Sequence, residues 1–422
     1  MLPRCLPEAA LHRASDLRKA PSVTTALALA LGAACSLAAL TWIGVLFDPK
    51  RAWQLRPVAE GETPPPSPSS WPSVRIVVPA HNEASVLPQT MAALLAQDYQ
   101  GEWQIVLVDE RSSDDTGAVA ARAAATHEAA DRLTVVRGSE LPHGWIGKVW
   151  GLEQGLRAGR PEQPDYYLLT DADIAHQPQS LRMLVSESED RNLALNSRMA
   201  RLHCASRAER ALIPAFVFFF NLLYPMRRVN DPTTPIAAAA GGCVLVNAAT
   251  LRAAGGLERI RNEIIDDVNL ACVIKSINPR LRLAISRRDV RSVRRYDSLR
   301  PIWRMVRRTA FDELGYSWWR LLGTVAGMLL LFLLPPAGLG VGAALAAADA
   351  AGAMDPPNWQ PLLIGVPSLT ALIAMRIAYT PAIRLFELRG VWAWTLPFAG
   401  TVYGLMTLDS ARMHLAGRSR RR

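Results

Sequence analysis

Between residues 74 and 170 the chain alternates short runs of Val, Ile, Leu and Tyr with stretches of helical periodicity, and no other feature narrows the possible fold as far. Runs at 74–79, 104–108, 133–136 and 166–170 read as buried strands, and 84–96 and 114–128 as helices. Strand and helix in turn predict an α/β fold with a doubly wound, mostly parallel sheet and right-handed crossovers. Later pieces are less regular: an apolar patch at 241–246, helices near Ala248 and Asp266, and a strand at 281–285. Ligands of open α/β sheets gather beyond the carboxyl ends of the strands. Two runs end in acid there, Asp109 in IVLVDERSSDDT and Asp171 with Asp173 in YYLLTDADI. Carboxylates distant in sequence are therefore expected at one cleft.

A D-x-D pair at a strand end suits Mg2+ or Mn2+ bridging phosphates, because such hard ions take few carboxylate oxygens and fill their shell with phosphate and water. Asp109 is placed to accept hydrogen bonds from a nucleobase or ribose. Asp266 and Asp267 in EIIDDVNL stand at a helix start, where they either favour the positive helix end or supply a general base for an acceptor hydroxyl. Adjacent helical side chains do not share a face, so only one of them is expected in the cleft. Lys148 in HGWIGKVWGL either adds charge to a phosphate or is an ordinary loop lysine. Asn82 in PAHNE, and Ser112, Ser113 or Asp114, fit helix caps. Neither G-x-G-x-x-G nor a P-loop occurs, so phosphate binding is left to a cation. H-E-x-x-H and G-x-S-x-G are also missing, which argues against zinc hydrolases and α/β-hydrolases.

Half of the 422 residues are hydrophobic, and the excess lies at the two ends. Residues 23–47 carry no charge and exceed the ~30 Å hydrocarbon thickness, which favours a transmembrane anchor over a signal peptide. A basic segment (1–22) precedes this anchor, and a Pro-rich linker (48–72) follows. A domain at 73–310 comes next, then a membrane region at 311–408 with candidate helices at 321–348, 359–379 and 391–408, and a basic tail at 409–422. The net charge of +10 is concentrated: nine Arg against two Asp lie between Arg287 and Arg308. That placement reads as a juxtamembrane segment facing anionic lipid, which puts the middle domain on the cytoplasmic side of the inner membrane. Residues 212–226 are apolar but too short to span, so they form either a buried core helix or an interfacial one. Nucleic-acid binding is disfavoured, since the Arg segment has no interleaved aromatics beyond Tyr296 and Trp303. Five scattered Cys without C-x-x-C spacing suggest neither disulfides nor zinc.

Taken in order, VRIVVPAHNE, IVLVDERSSDDT, GWIGKVWGL, YYLLTDADI, GGCVLVN and EIIDDVNL resemble family 2 glycosyltransferases of the GT-A fold over residues 74–308. The GWIGK block, the IIDDVNL form and the flanking hydrophobic segments look more like the hopene-associated glycosyltransferases, relatives of the ceramide glucosyltransferase-like branch. The resemblance implies a GT-A-type sheet flanked by N-terminal and C-terminal transmembrane helices. It also implies Mg2+ or Mn2+ on Asp171 and Asp173, and Pro79, Glu83 and Asp109 against the uridine part of a nucleotide-sugar donor. Asp267 would be the base of a single inverting displacement. Lys148 and Asp266 complete the substrate-binding set, and either Arg307 or Arg308 meets the diphosphate, Arg308 being the candidate. Asp266 stands where Glu is more usual. Arg308 stands where the Q-x-x-R-W motif of processive relatives has Trp, which weakens the case for a polysaccharide synthase. The expected activity is transfer of a sugar from a UDP-sugar to a membrane lipid, a hopanoid by resemblance. Its rivals are a processive polysaccharide synthase and a non-catalytic membrane scaffold.

Overall fold

A computed structural model describes residues 23–55, 65–159, 162–353 and 358–417. The basic segment at 1–22, residues 56–64 of the linker and the end of the basic tail (418–422) lie outside the described residues.

Helix α1 (Val23–Phe47) precedes β1 (Val74–Ala80), α2 (Leu87–Leu95), β2 (Trp103–Asp109), α3 (Thr116–Thr126) and β3 (Leu133–Arg137). Next come α4 (Gly147–Arg157), β4 (Tyr166–Leu169), β5 (Ile174–His176), α5 (Ser180–Arg191) and β6 (Leu195–Met199). The chain continues through α6 (Arg207–Leu223), α7 (Met226–Val229), β7 (Val244–Asn247), α8 (Ala248–Ala253), α9 (Asp266–Ile277), β8 (Leu281–Ile285) and β9 (Val290–Ser292). Among the described residues the main sheet has seven strands in the order β3-β2-β1-β4-β7-β6-β8, and β5 pairs with β9 in a small antiparallel ribbon. Strand β7 runs against both of its neighbours, while the other pairings of the main sheet are parallel. The mostly parallel α/β sheet is therefore present, with one reversal near the middle.

Local chemistry moves some boundaries. Helix α2 begins at Leu87 rather than 84, because Pro88 in its first turn starts the helix. Asn82 lies outside it with φ at 57°, and its Oδ1 accepts from Ser113 N at 2.8 Å instead of capping a helix. Asp114 does serve the head of α3, where Oδ1 accepts from Thr116 N at 3.0 Å.

One apolar core fills the sheet face under α2, α3 and α5, and a second fills the face under α4, α8 and α9. In the second, α4 lies so close to β1 that a Cβ at Gly155 would overlap Val77 Cγ1. Gly155→Ala is expected to lower the melting temperature. Overpacking against a stiff central-strand Val costs about 1–3 kcal/mol, which exceeds the roughly 1 kcal/mol of helix propensity gained.

The C-terminal part comprises α10 (Leu299–Glu313), α11 (Trp318–Met328), α12 (Leu334–Ala350), α13 (Gln360–Leu385) and α14 (Leu396–Leu415). A π-helical turn at Leu329–Leu333 joins α11 to α12 into one rod from Trp318 to Ala350. It sits just before Pro335 and Pro336, whose missing N–H groups would otherwise break the α ladder. Among the described residues, three helices are long and apolar enough to cross a membrane: Val23–Phe47, Trp318–Ala350 and Gln360–Leu385. The expected third C-terminal segment, 391–408, is a 3-10 turn (Gly390–Thr395) followed by α14 and is not one of them. Asp409 on α14 instead binds Trp303 Nε1 at 2.7 Å and Arg307 Nη1 at 3.3 Å on α10. The boundary expected at 310 falls inside α10.

Helix α6 joins the two parts. Its Leu212, Ile213 and Phe218 share a core with the end of α1, with α10, α13 and α14, and Tyr403 OH donates to Leu212 O at 3.0 Å. Of the two readings of residues 212–226, this is the buried helix.

Candidate active site

Register brings the acids together. Ala80 of β1 lies opposite Asp109 of β2, and Thr170 N donates to Val77 O, so β1, β2 and β4 open onto the same edge. The loops after β1 and β2 are cross-linked: Asn82 N donates to Ser112 Oγ and Glu83 N to Thr116 Oγ1, both at 2.9 Å. Asp109 Oδ1 accepts from Ser112 N at 2.9 Å. Pro79 is buried within β1, one residue short of the open edge.

The D-x-D turn is held on three sides. Thr170 Oγ1 donates to Gly242 O at 2.7 Å, Thr90 Oγ1 to Ala172 O at 2.7 Å, and Val293 N to Asp173 O at 2.9 Å. Buried His176 stands 2.9 Å from Thr170 Oγ1, and burial lowers its pKa to about 4, so it is a neutral structural group.

Lys148, in the first turn of α4, spans two of the acidic sites. Its Nζ lies 3.0 Å from Asp171 Oδ1 and 3.2 Å from Asp266 Oδ2. Burial alone would lower the ammonium's pKa, but the charges of Asp171, Asp266 and Asp267 raise it, so the lysine is protonated. Asp267 Oδ2 accepts from Gly241 N at 2.7 Å and Oδ1 from Val268 N at 2.9 Å. A Cβ on Gly241 would stand 3.0 Å from Lys148 Nζ and 3.3 Å from Asp267 Oδ2, so backbone, ammonium and carboxylate meet there. The expectation that only one of Asp266 and Asp267 reaches the cleft is corrected. At the first turn of α9 Asp266 pairs with Lys148 directly, and Asp267, held on Gly241 N, acts on the same ammonium. Burial, followed by the adjacent Asp266 charge, raises the Asp267 pKa to about 6 against the pull of Lys148.

Arg294, just beyond β9, was hidden in the Arg-rich stretch. Its Nε lies 2.7 Å from Asp173 Oδ2 and its Nη2 2.6 Å from Glu83 Oε1. Glu83 is shifted up by burial, with Arg294 opposing and Asp173 and Asp171 adding to the rise. The Arg cluster is thus divided: Arg294 enters the acidic site, Arg307 turns to Asp409, and Arg300 and Arg304 line an open pocket with Leu299, Trp303 and Arg307. The charge of Arg308 is felt by Tyr296, whose hydroxyl pKa is raised by burial and by Asp173, with Arg294 and Arg308 opposing.

Glu83, Asp171, Asp173, Asp266 and Asp267 therefore share one site with Lys148 and Arg294, and Asp109 adjoins it through Glu110, on which Lys148 and Asp109 both act. Five carboxylates against two cations leave a negative balance. Asp171 Oδ2 and Asp173 Oδ1 take no part in these pairs, so the D-x-D keeps a hard oxygen on each residue, a donor set that fits Mg2+ or Mn2+.

Residues 75–252 match the family model for glycosyl transferase family 2. Two curated relatives are N-acetylglucosaminyltransferases, from Mesorhizobium japonicum (31% identical over 149 residues, 34% of this chain) and Rhizobium leguminosarum bv. viciae (29% over 139 residues, 33% of this chain). The matches span about a third of those relatives, 32% and 30% of their lengths. Among solved structures, a mannosyltransferase from Pyrobaculum calidifontis in complex with GDP-Man and Mn2+ shares the fold at a TM-score of 0.52. It is 20% identical, and the likeness covers 93% of this chain and 99% of that one.

Proposed function

We propose that the chain is a membrane-bound inverting glycosyltransferase that moves one sugar from a nucleotide-diphosphate sugar, a UDP-sugar, to a lipid acceptor of hopanoid type. The catalytic domain works on the cytoplasmic side of the inner membrane. The observation that carries this reading is the Lys148 bridge, in which one ammonium joins the D-x-D carboxylate Asp171 to the acidic head of α9. A phosphate site and a base site are thereby adjacent.

Asp171 and Asp173 would hold the divalent ion, which when bound supplies Lewis-acid charge to the leaving diphosphate. Lys148 adds a second positive charge on the same side. Asp109, at the tip of β2, and Glu83, in the loop after β1, accept hydrogen bonds from the nucleoside. Asp267 takes the proton of the acceptor hydroxyl as that oxygen attacks the sugar carbon, and its raised pKa makes it a stronger base than an exposed carboxylate. The three long apolar helices and the core they share with α6 support a lipid acceptor. The Arg-rich stretch before the two C-terminal ones, and a sequence at 349–358 without Lys or Arg between those two, support the cytoplasmic side.

The test uses the full chain in liposomes with a UDP-sugar and a hopanoid bearing a free hydroxyl. A lipid heavier by one sugar is expected, with transfer reduced at least ~100-fold by EDTA and restored by Mn2+. Unchanged turnover in EDTA would remove the metal from the reaction, and products longer than one added sugar would replace this reading with chain elongation.

A further inference from the structure

Arg294 occupies a place that a metal-dependent transfer cannot leave as it is. Its guanidinium binds Asp173, one of the two D-x-D acids, and Glu83, while Lys148 takes Asp171. A divalent ion arriving at the D-x-D alone would meet a fixed positive charge already on Asp173, and like charges that close repel strongly. A diphosphate arriving with the ion offers the guanidinium what it matches best, paired phosphate oxygens for its planar fork.

We propose that Arg294 is a donor-binding residue parked on Asp173 and Glu83, which passes to the donor's diphosphate as the ion takes Asp173. Metal and nucleotide then bind with positive coupling, each making room for the other. The proposal rests on the nucleotide-sugar reading and adds a residue and an order of events to it.

Two observations favour exchange over a structural lock. The backbone around Arg294 is held without its side chain: β9 pairs with β5, Val293 N donates to Asp173 O at 2.9 Å, and Tyr296 N donates to Glu209 Oε1 at 2.7 Å. The side chain itself is 41% exposed, so it has room to turn while its Cα stays in place.

Mn2+ binding to the full chain in detergent, followed by electron paramagnetic resonance with and without UDP, tests this. In the wild type, UDP is expected to tighten Mn2+ at least tenfold. Arg294→Gln is expected to bind Mn2+ several-fold tighter without UDP and to reduce the UDP effect at least fivefold. Arg294→Lys, which keeps the charge but not the fork, is expected to restore the weak binding without UDP while recovering little of the coupling. An unchanged ratio between the two conditions in Arg294→Gln, or equal weakening in both, would overturn the exchange while leaving the nucleotide-sugar reading in place. A wild-type chain that binds neither Mn2+ nor UDP would end both.

Discussion

Asp267→Asn is expected to lower the transfer rate by roughly two to four orders of magnitude, the usual contribution of a positioned general base. Asn keeps a carbonyl oxygen to accept from Gly241 N and gives up only the acceptor for Val268 N, so the side chain stays in place while its basicity is lost. In the wild type the rate should rise with pH through about 6, because the base works only when ionised, and this rise should be absent from the residual activity of the variant. The same substitution should stabilise the fold. A carboxyl whose folded pKa is raised opposes folding once it ionises: stability is highest below the unfolded value near 3.9 and declines as pH climbs through about 6. At pH 8 the neutral Asn should gain roughly 1–2 kcal/mol after allowance for partial solvent screening, and at pH 4 almost none. Thermal melts at both pH values, beside initial rates, check this; a variant that is inactive and also less stable at pH 8 would indicate a structural carboxylate.

Glu209→Ala is expected to destabilise the fold by about 2–4 kcal/mol, although no substrate group need touch it. Glu209 is fully buried, caps α6 in a capping box with Ser206, and accepts from Ala205 N at 2.9 Å, Ser206 N at 2.7 Å and Tyr296 N at 2.7 Å. Burial alone would raise its pKa; these N–H donors, together with His203, lower it to about 2 instead. A depressed carboxylate contributes stability that is complete above its unfolded value near 4.3 and is lost as pH falls through about 2. The wild type should therefore lose melting temperature steeply in acid, and Glu209→Ala should lose less there. Parallel melts of both proteins between pH 7 and pH 3 measure the difference.

The acids were legible because each follows an unmistakable apolar strand or opens a helix, and residue order alone places strand ends on one edge of a parallel sheet. Strand β6 was not legible. It reads LNSRM, and its Asn196, Ser197 and Arg198 are all buried, which no alternation rule anticipates. They are accommodated by partners on the preceding helix: Arg198, with Arg282 of β8, pairs with Glu187 of α5, and Asn196 Nδ2 donates to Leu184 O at 3.1 Å. Arg294 escaped notice for a related reason. Nine arginines in a short stretch share one composition, and only the β5–β9 ribbon, formed by short strands with weak signals of their own, singles out the one that reaches Asp173. The reading of 391–408 changed because its first residues form a 3-10 turn and α14 runs on past 408 to Asp409, whose partners on α10 lie about a hundred residues away.

Under the proposed reading, the tie from Asp173 through Val293 and Tyr296 to the head of α6 would make the reaction centre a gauge, held at a fixed distance from the core that α6 shares with the apolar helices. Acceptors would then be sorted by how far their hydroxyl protrudes from the lipid surface as well as by ring shape. Shortening or lengthening the polar tip of an otherwise identical sterol-like lipid should change its turnover more than altering the buried rings does.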